Sequence, residues 1–317
     1  MTLCVLGAGA FGTAMAIALS RDGKPVTLWG RDNAAIDEMQ RSRKAGPSLS
    51  HHDLPASLTV TSDIASVSGD VFLIAVPTQN LKGFLETFGS RDAPFVACCK
   101  GVDQKTNLGP VRTIQHVHPR VPAAMLTGPS FAADIAAGLP TALVLACEDV
   151  SIGQELQAAL SRSLLRVYRT TDVTGAELGG ALKNVIALAA GMAIGAGLGD
   201  SARASVIARG FGEMSKYAVA KGASVETLQG LSGLGDLVLT CTSEKSRNFS
   251  TGVALGRQET PSAQTVEGLS TVSAVVKDAR AMGMDLPLIT TVAGVVAGKL
   301  DIPSAIATLL ARPVGKE

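Results

Sequence analysis

Two polar side chains, Lys183 and Asn184, interrupt the otherwise apolar stretch Leu178–Ala190 (LGGALKNVIALAA). A segment apolar on every side predicts a helix buried on every side. A lysine inside such a helix must find acceptors or give up its proton. Lys183 is then either a snorkelling side chain whose ammonium escapes to solvent, or an ammonium aimed into a cleft as proton donor or acceptor, with Asn184 binding a substrate oxygen beside it. Downstream, the Gly-rich loop Leu231–Asp236 carries one carboxylate, and Ser246-Arg247-Asn248 follows it. Asp236 suits a helix N-cap as well as a partner for the lysine. Ser-Arg-Asn suits a solvated turn as well as a phosphate clamp, since arginine grips phosphate oxygens in pairs. Spacing alone gives no role to Glu267, in Thr265-Val266-Glu267-Gly268.

These groups need a scaffold, and the first half of the chain predicts one. Thr2–Leu6 is a short apolar run ending in Gly7-Ala8-Gly9-Ala10-Phe11-Gly12, and an Ala-rich helical stretch, Thr13–Ser20, follows. That is GxGxxG between a strand and a helix, the context a dinucleotide site requires. Gly7 allows the tight turn, Gly9 lets the backbone approach a pyrophosphate, and Gly12 lets helix and strand pack closely, with the helix N-terminus facing the anion. The second strand, Val26–Trp29, ends in Gly30-Arg31-Asp32. Arg31 suits a 2′-phosphate and favours NADPH, whereas Asp32 keeps NADH open; Arg31 is otherwise an adenine-stacking or solvent-facing side chain.

Further apolar runs at Val71–Val76, Phe95–Cys99, Ala123–Leu126, Thr141–Ala146 and Leu165–Tyr168 alternate with helical patterns. They predict a Rossmann-type α/β fold, a mostly parallel sheet covered by helices. Ligands of such sheets sit off the carboxyl ends of the strands, which puts Pro77, Lys100 and Gly128–Ser130 at one mouth. Lys100 reads equally as a surface lysine at a strand end. Arg41–Leu54, polar and holding His51-His52, predicts an exposed loop. His116 and His118 have no carboxylate or cysteine set nearby, so no metal site is expected.

After Thr170-Thr171-Asp172, a cap cluster, strand signals stop. Helical patterns at Ser201–Lys221, Val272–Ala281, Leu288–Ala297 and Ser304–Leu310 predict an all-helical C-terminal domain, with Gly191–Gly199 as a helix end or loop. The boundary is expected near residue 170, giving a dinucleotide-binding domain over 1–170 and a helical substrate and catalytic domain over 171–317.

At 317 residues the chain has room for two domains. A net charge of +1 and the lack of a basic stripe argue against nucleic acid. Five cysteines with no CxxC pair suit small core residues in a reducing compartment. The N-terminus lacks a signal-peptide pattern, and the longest apolar run is broken by Lys183, Asn184 and glycines. A cytoplasmic protein without membrane insertion is expected, and its apolar helices suit a homodimer.

In order and spacing, GAGAFGTA (7–14), LWGRD (28–32), CKG (99–101), GPSFA (128–132), LGGALKNVIA (178–187), GLGDLVLTCTS (233–243), SRN (246–248) and VEG (266–268) carry a resemblance over nearly the whole chain. The chain resembles the bacterial-type NAD(P)-dependent glycerol-3-phosphate dehydrogenase family, which reversibly reduces dihydroxyacetone phosphate to sn-glycerol 3-phosphate, the backbone precursor of phospholipids. The resemblance implies Lys183 as proton acceptor in the oxidative direction. It implies substrate contacts at Lys100, Gly128, Ser130, Lys183, Asp236, Ser246, Arg247 and Asn248. Cofactor contacts fall on Ala10, Phe11, Arg31, Lys100, Ala132, Arg247, Thr265 and Glu267. In the expected mechanism Lys183, assisted by Asn184 and Lys100, stabilises and protonates the developing alkoxide; Asp236 orients Lys183, and Arg247 and Asn248 hold the phosphate.

Two departures from the family pattern, at Lys44–Ala56 and at Phe249-Ser250 after SRN, bear on loop shape. A β-hydroxyacid or ketopantoate-type reductase shares the Gly-rich turn and the helix-borne lysine but acts on carboxylates, which the phosphate-suited SRN does not favour. A non-catalytic NADPH-binding sensor has no use for a lysine in a buried helix.

Overall fold

A computed structural model describes residues 1–261 and 266–311. The chain divides into two compact units, Met1–Lys100 with Leu108–Glu177, and Gly101–Asn107 with Leu178–Glu317.

The first unit is built on alternating strands and helices: β1 (Leu3–Leu6), α1 (Ala10–Ser20), β2 (Val26–Trp29), α2 (Asn33–Ser42), β3 (Leu58–Thr61), β4 (Val71–Ile74), α3 (Thr78–Phe88), β5 (Phe95–Ala97), α4 (Pro110–Val117), β6 (Ala123–Thr127), α5 (Ala132–Ala137), β7 (Thr141–Ala146), α6 (Val150–Leu160) and β8 (Leu165–Thr170). Its sheet runs β3-β2-β1-β4-β5-β6-β7-β8. Side chains alternate across a strand, so Leu3 and Val5 of β1 join the core under α1, α5 and α6, while Cys4 and Leu6 face Leu81, Leu85 and Ile114 of α3 and α4. Both faces are covered, and β1 and β4 are accordingly apolar and buried at every position. The sheet is mostly parallel as expected; among the described residues only its β6–β7 pairing is antiparallel.

Two local expectations need correction. The strand β3 and the helix α2 were not expected from the sequence. Arg41–Leu54 is not simply an exposed loop, because Ala45, Leu49 and Leu54, spaced through the polar stretch, are buried in the core. A Lys44–Asp53 bridge closes it, and the Arg43 guanidinium donates to the carbonyls of Pro55 at 2.6 Å and Leu58 at 3.1 Å.

The last residue of this unit, Glu177, lies within the long helix α7 (Val173–Gly195). Its carboxylate accepts the backbone N–H of Val111, in the first turn of α4, at 2.6 Å. Burial pushes its pKa up from 4.5 to about 7, against the pull of that bond and of Arg112. Between those values the folded chain holds the proton more tightly than the unfolded one. The stabilisation is therefore complete below pH 4.5 and lost as pH rises through about 7, a change of about 3 kcal/mol at most. Chemical denaturation at pH 5 and pH 8 is expected to show this slope in the wild type and a flatter one in Glu177→Gln; equal slopes in the two proteins would exclude Glu177 as its source.

The second unit is helical: the rest of α7, then α8 (Gly199–Ala220), α9 (Val225–Gln229), a π-helical turn over Leu231–Gly235, α10 (Asp236–Cys241), α11 (Arg247–Gly256), α12 (Glu267–Ala281), α13 (Pro287–Val296) and α14 (Ile302–Leu310). Helix α7 runs through its core. Leu182, Val185, Ile186, Leu188 and Ala190 are buried among Met214 of α8, Leu237 of α10, Phe249 of α11, Val272 of α12 and Ile289 of α13. By length and composition α7 would cross a bilayer, yet 83% of its most apolar window is buried inside the protein. The stretch Gly191–Gly199 holds the expected helix end and loop: α7 continues to Gly195, and α8 begins at Gly199. Glycine is a poor helix former, but here it admits neighbouring backbone.

Candidate active site

In the first unit, Gly7 has φ +123°, and a Cβ there would lie 2.6 Å from the Ala75 carbonyl oxygen. A Cβ on Gly12 would lie 2.0 Å from the carbonyl oxygen of Gly7, so strand end and helix touch backbone to backbone. Gly9, the N-cap of α1, faces open space with nothing within 4 Å of a Cβ built there. Ala10 and Phe11 form the first turn. A helix N-terminus with an unobstructed approach fits a pyrophosphate. Off the end of β2, Arg31 is exposed, while Asp32 caps α2 by accepting the N–H of Ala35 at 3.1 Å.

The parallel neighbours β4, β5 and β6 bring Pro77, Lys100 and Gly128–Ser130 to one edge of the sheet. The Lys100 ammonium donates to the Gly128 carbonyl at 3.1 Å, as does the Ser130 hydroxyl at 3.2 Å. Thr78, the first residue of α3, donates to the Lys100 carbonyl at 2.9 Å and fixes that backbone. Gly128 has φ +126°, a conformation that side-chain-bearing residues avoid. Ala132 opens α5.

In the second unit Lys183 does not snorkel. Its side chain is 9% exposed, and its Nζ donates to Asp236 Oδ1 at 2.6 Å and to Thr240 Oγ1 at 2.9 Å. Asp236 is 1% exposed and is the first residue of α10, but its carboxylate turns to the lysine instead of capping its own helix. Thr240, one turn on, donates back to the Asp236 carbonyl at 2.6 Å. Sequence reasoning missed Thr240; its i+4 spacing from Asp236 is the signal, legible once the helix is known to start at 236. Cys241 follows it, its thiol pushed up to about 12 by burial, with Lys183 nearby pulling the other way.

Next to Lys183, the Asn184 amide donates to Glu267 Oε2 at 3.3 Å, and its oxygen accepts Asn248 Nδ2 at 3.0 Å. Asn248 Oδ1 in turn accepts the Gly268 N–H at 2.9 Å. Ser-Arg-Asn is no loose turn. Ser246 caps α11, accepting the Phe249 N–H at 3.2 Å, so exposed Arg247 and buried Asn248 occupy the helix's first two positions. Thus Lys183, Asp236 and Thr240 form one hydrogen-bonded set in this unit and Asn184, Asn248 and Glu267 a second, carried by adjacent residues of α7, whereas Lys100, Gly128 and Ser130 form another in the first unit. Thr265 lies outside the described residues.

The NAD-dependent glycerol-3-phosphate dehydrogenase N-terminus matches residues 2–152, and the corresponding C-terminus matches residues 172–307. A glycerol-3-phosphate dehydrogenase [NAD(P)+] of Ruegeria sp. (strain TM1040) is 52% identical over 322 residues, covering 100% of both chains. Among solved structures, a glycerol-3-phosphate dehydrogenase from Coxiella burnetii superposes with a TM-score of 0.92 at 34% identity, over 98% of this chain and 99% of that one. A ketopantoate reductase from Ralstonia eutropha shares the fold, with a TM-score of 0.65 at 17% identity over 98% of this chain and 100% of that one.

Proposed function

The chain belongs to the NAD-dependent glycerol-3-phosphate dehydrogenase family, and on that premise we propose how its residues divide the work. The reaction is the reversible reduction of dihydroxyacetone phosphate to sn-glycerol 3-phosphate with NADPH or NADH. Residues 1–170 serve the dinucleotide and 171–317 the substrate. The compartment this reading assigns is the cytoplasm.

Gly7, Gly9, Ala10, Phe11 and Gly12 hold the pyrophosphate, with Arg31, Lys100, Ala132, Arg247, Thr265 and Glu267 as further cofactor contacts. Bound there, the nicotinamide cofactor supplies hydride to the substrate's C2 carbonyl. As charge develops on that oxygen, Lys183 Nζ, assisted by Asn184 and Lys100, stabilises it and delivers the proton. In the reverse direction the substrate hydroxyl returns its proton to Nζ. Asp236 and Thr240 aim the lysine. Arg247, with Ser246, Asn248, Gly128 and Ser130, binds the remote part of the substrate, whose binding energy fixes the geometry of attack.

The observation that carries this reading is the buried Lys183 ammonium held by Asp236 at 2.6 Å and Thr240 at 2.9 Å. Its test is the fall in NADPH or NADH absorbance on adding dihydroxyacetone phosphate to the purified protein; no fall with either cofactor would refute it.

The Asp32 carboxylate is engaged in capping α2, which leaves exposed Arg31 as the charged group suited to a 2′-phosphate. Arg31→Ala is expected to lower the NADPH-over-NADH preference in kcat/KM by about 10–100-fold, the equivalent of one charge-assisted contact. Cofactor titration kinetics read this directly. An unchanged ratio would remove Arg31 from the site.

A further inference from the structure

Gly191 and Gly195 of α7 meet Gly252 and Gly256 of α11 in a reciprocal crossing. A Cβ on Gly191 would lie 2.1 Å from the Phe249 carbonyl oxygen, and one on Gly195 2.1 Å from that of Val253. From the other side, Gly252 would meet the Leu188 carbonyl oxygen at 2.2 Å and Gly256 that of Met192 at 2.4 Å. Within each helix the two glycines are four residues apart and so share one face. All four obstacles are main-chain oxygens, which no rotamer change can move aside. Alanine suits the interior of a helix better than glycine does, so glycine here answers to packing.

The same two helices carry chemistry on the N-terminal side of the crossing. Helix α7 bears Lys183 and Asn184 two turns before Gly191, and α11 begins with Arg247 and Asn248 just before Gly252. No loop intervenes between the crossing and either group, and the bond from Asn248 Nδ2 to Asn184 Oδ1 ties them at 3.0 Å.

Building on the roles given above to Lys183 and Arg247, we propose that this glycine crossing is a gauge. By holding α7 and α11 at backbone contact, it sets the distance between the groups that receive the carbonyl and those that receive the phosphate, and so selects a three-carbon phosphate ester. The glycines are positioning residues. A methyl group at the crossing must reach ordinary contact of 3.4–4 Å, which separates the helices by about 1–2 Å, and a misplacement of 1 Å already costs about 100-fold in rate.

The test compares dihydroxyacetone phosphate with unphosphorylated dihydroxyacetone, which engages only the carbonyl groups. In Gly252→Ala, kcat/KM for the phosphate ester is expected to fall by about 100-fold while that for the unphosphorylated ketone stays about the same, so the preference collapses. Gly256→Ala, at the outer contact, should move the preference the same way and less far. Cofactor binding, followed by fluorescence, should not change. If the alanine variants lose both activities together with the preference intact, the crossing is only structural and the gauge is wrong; failure of both variants to fold overturns it equally. Absence of wild-type turnover of dihydroxyacetone phosphate would instead sink the parent reading, whereas an active wild type beside variants of unaltered preference sinks the gauge alone.

Discussion

Lys183→Ala is expected to lower kcat by about two to four orders of magnitude, the range for loss of a positioned proton donor, with cofactor binding retained. The substitution also strands a carboxylate. Asp236 is 1% exposed and its Oδ1 receives the lysine at 2.6 Å, so removing one partner of this buried pair should cost about 3–5 kcal/mol of stability. The two effects separate in the double variant Lys183→Met with Asp236→Asn, which leaves no orphaned charge. Its stability should return toward the wild type while its turnover stays lost. Steady-state kinetics beside denaturant titrations measure both, and a double variant that regained turnover would show that Lys183 acts through structure alone.

Arg247→Ala should raise KM for dihydroxyacetone phosphate by about 10–100-fold with a smaller change in kcat, as loss of a charge-assisted phosphate contact predicts. Arg247 is exposed at the first position of α11, so its removal leaves no buried group unpaired and the fold should be unaffected. Its neighbour is different: buried Asn248 is bonded on both sides of its amide, to Asn184 and to Gly268, so Asn248→Ala would confuse binding with packing. Arg247 is therefore the cleaner probe. Saturation curves for the phosphorylated and unphosphorylated ketones decide, and a KM that does not move would take Arg247 out of phosphate binding.

What the sequence disclosed depended on how local the cause was. Gly7, Gly9 and Gly12 were legible because one short strand-to-helix junction dictates all three, each for its own reason. Lys183 stood out because a charge in an apolar run demands a partner. The identity of that partner was half visible: Asp236 was read as either cap or counter-ion, and the bond to Lys183 at 2.6 Å depends on how two distant helices pack. Thr240 was missed for the same reason. The Asn184–Asn248 bond joins residues 64 positions apart, and no spacing rule reaches that far. The end of α7 within Gly191–Gly199 was legible because glycine is a poor helix former, whereas its exact place at Gly195 depends on backbone contact with α11. The reversal of β7 relative to β6 was invisible because an apolar run carries no direction. In Arg41–Leu54, three apolar side chains were too widely spaced to form a pattern, yet they suffice to pin the segment to the core.

All five cysteines are buried. Burial raises the thiol pKa of Cys4 to about 11 and of Cys241 to about 12, and it raises those of Cys98 and Cys147 as well. Alkylating reagents and disulfide exchange need an accessible thiolate, so near neutral pH these four buried thiols are poor targets. A single cysteine introduced on the surface then becomes an addressable handle for a fluorophore or spin label, with no need to strip the native sulfurs first.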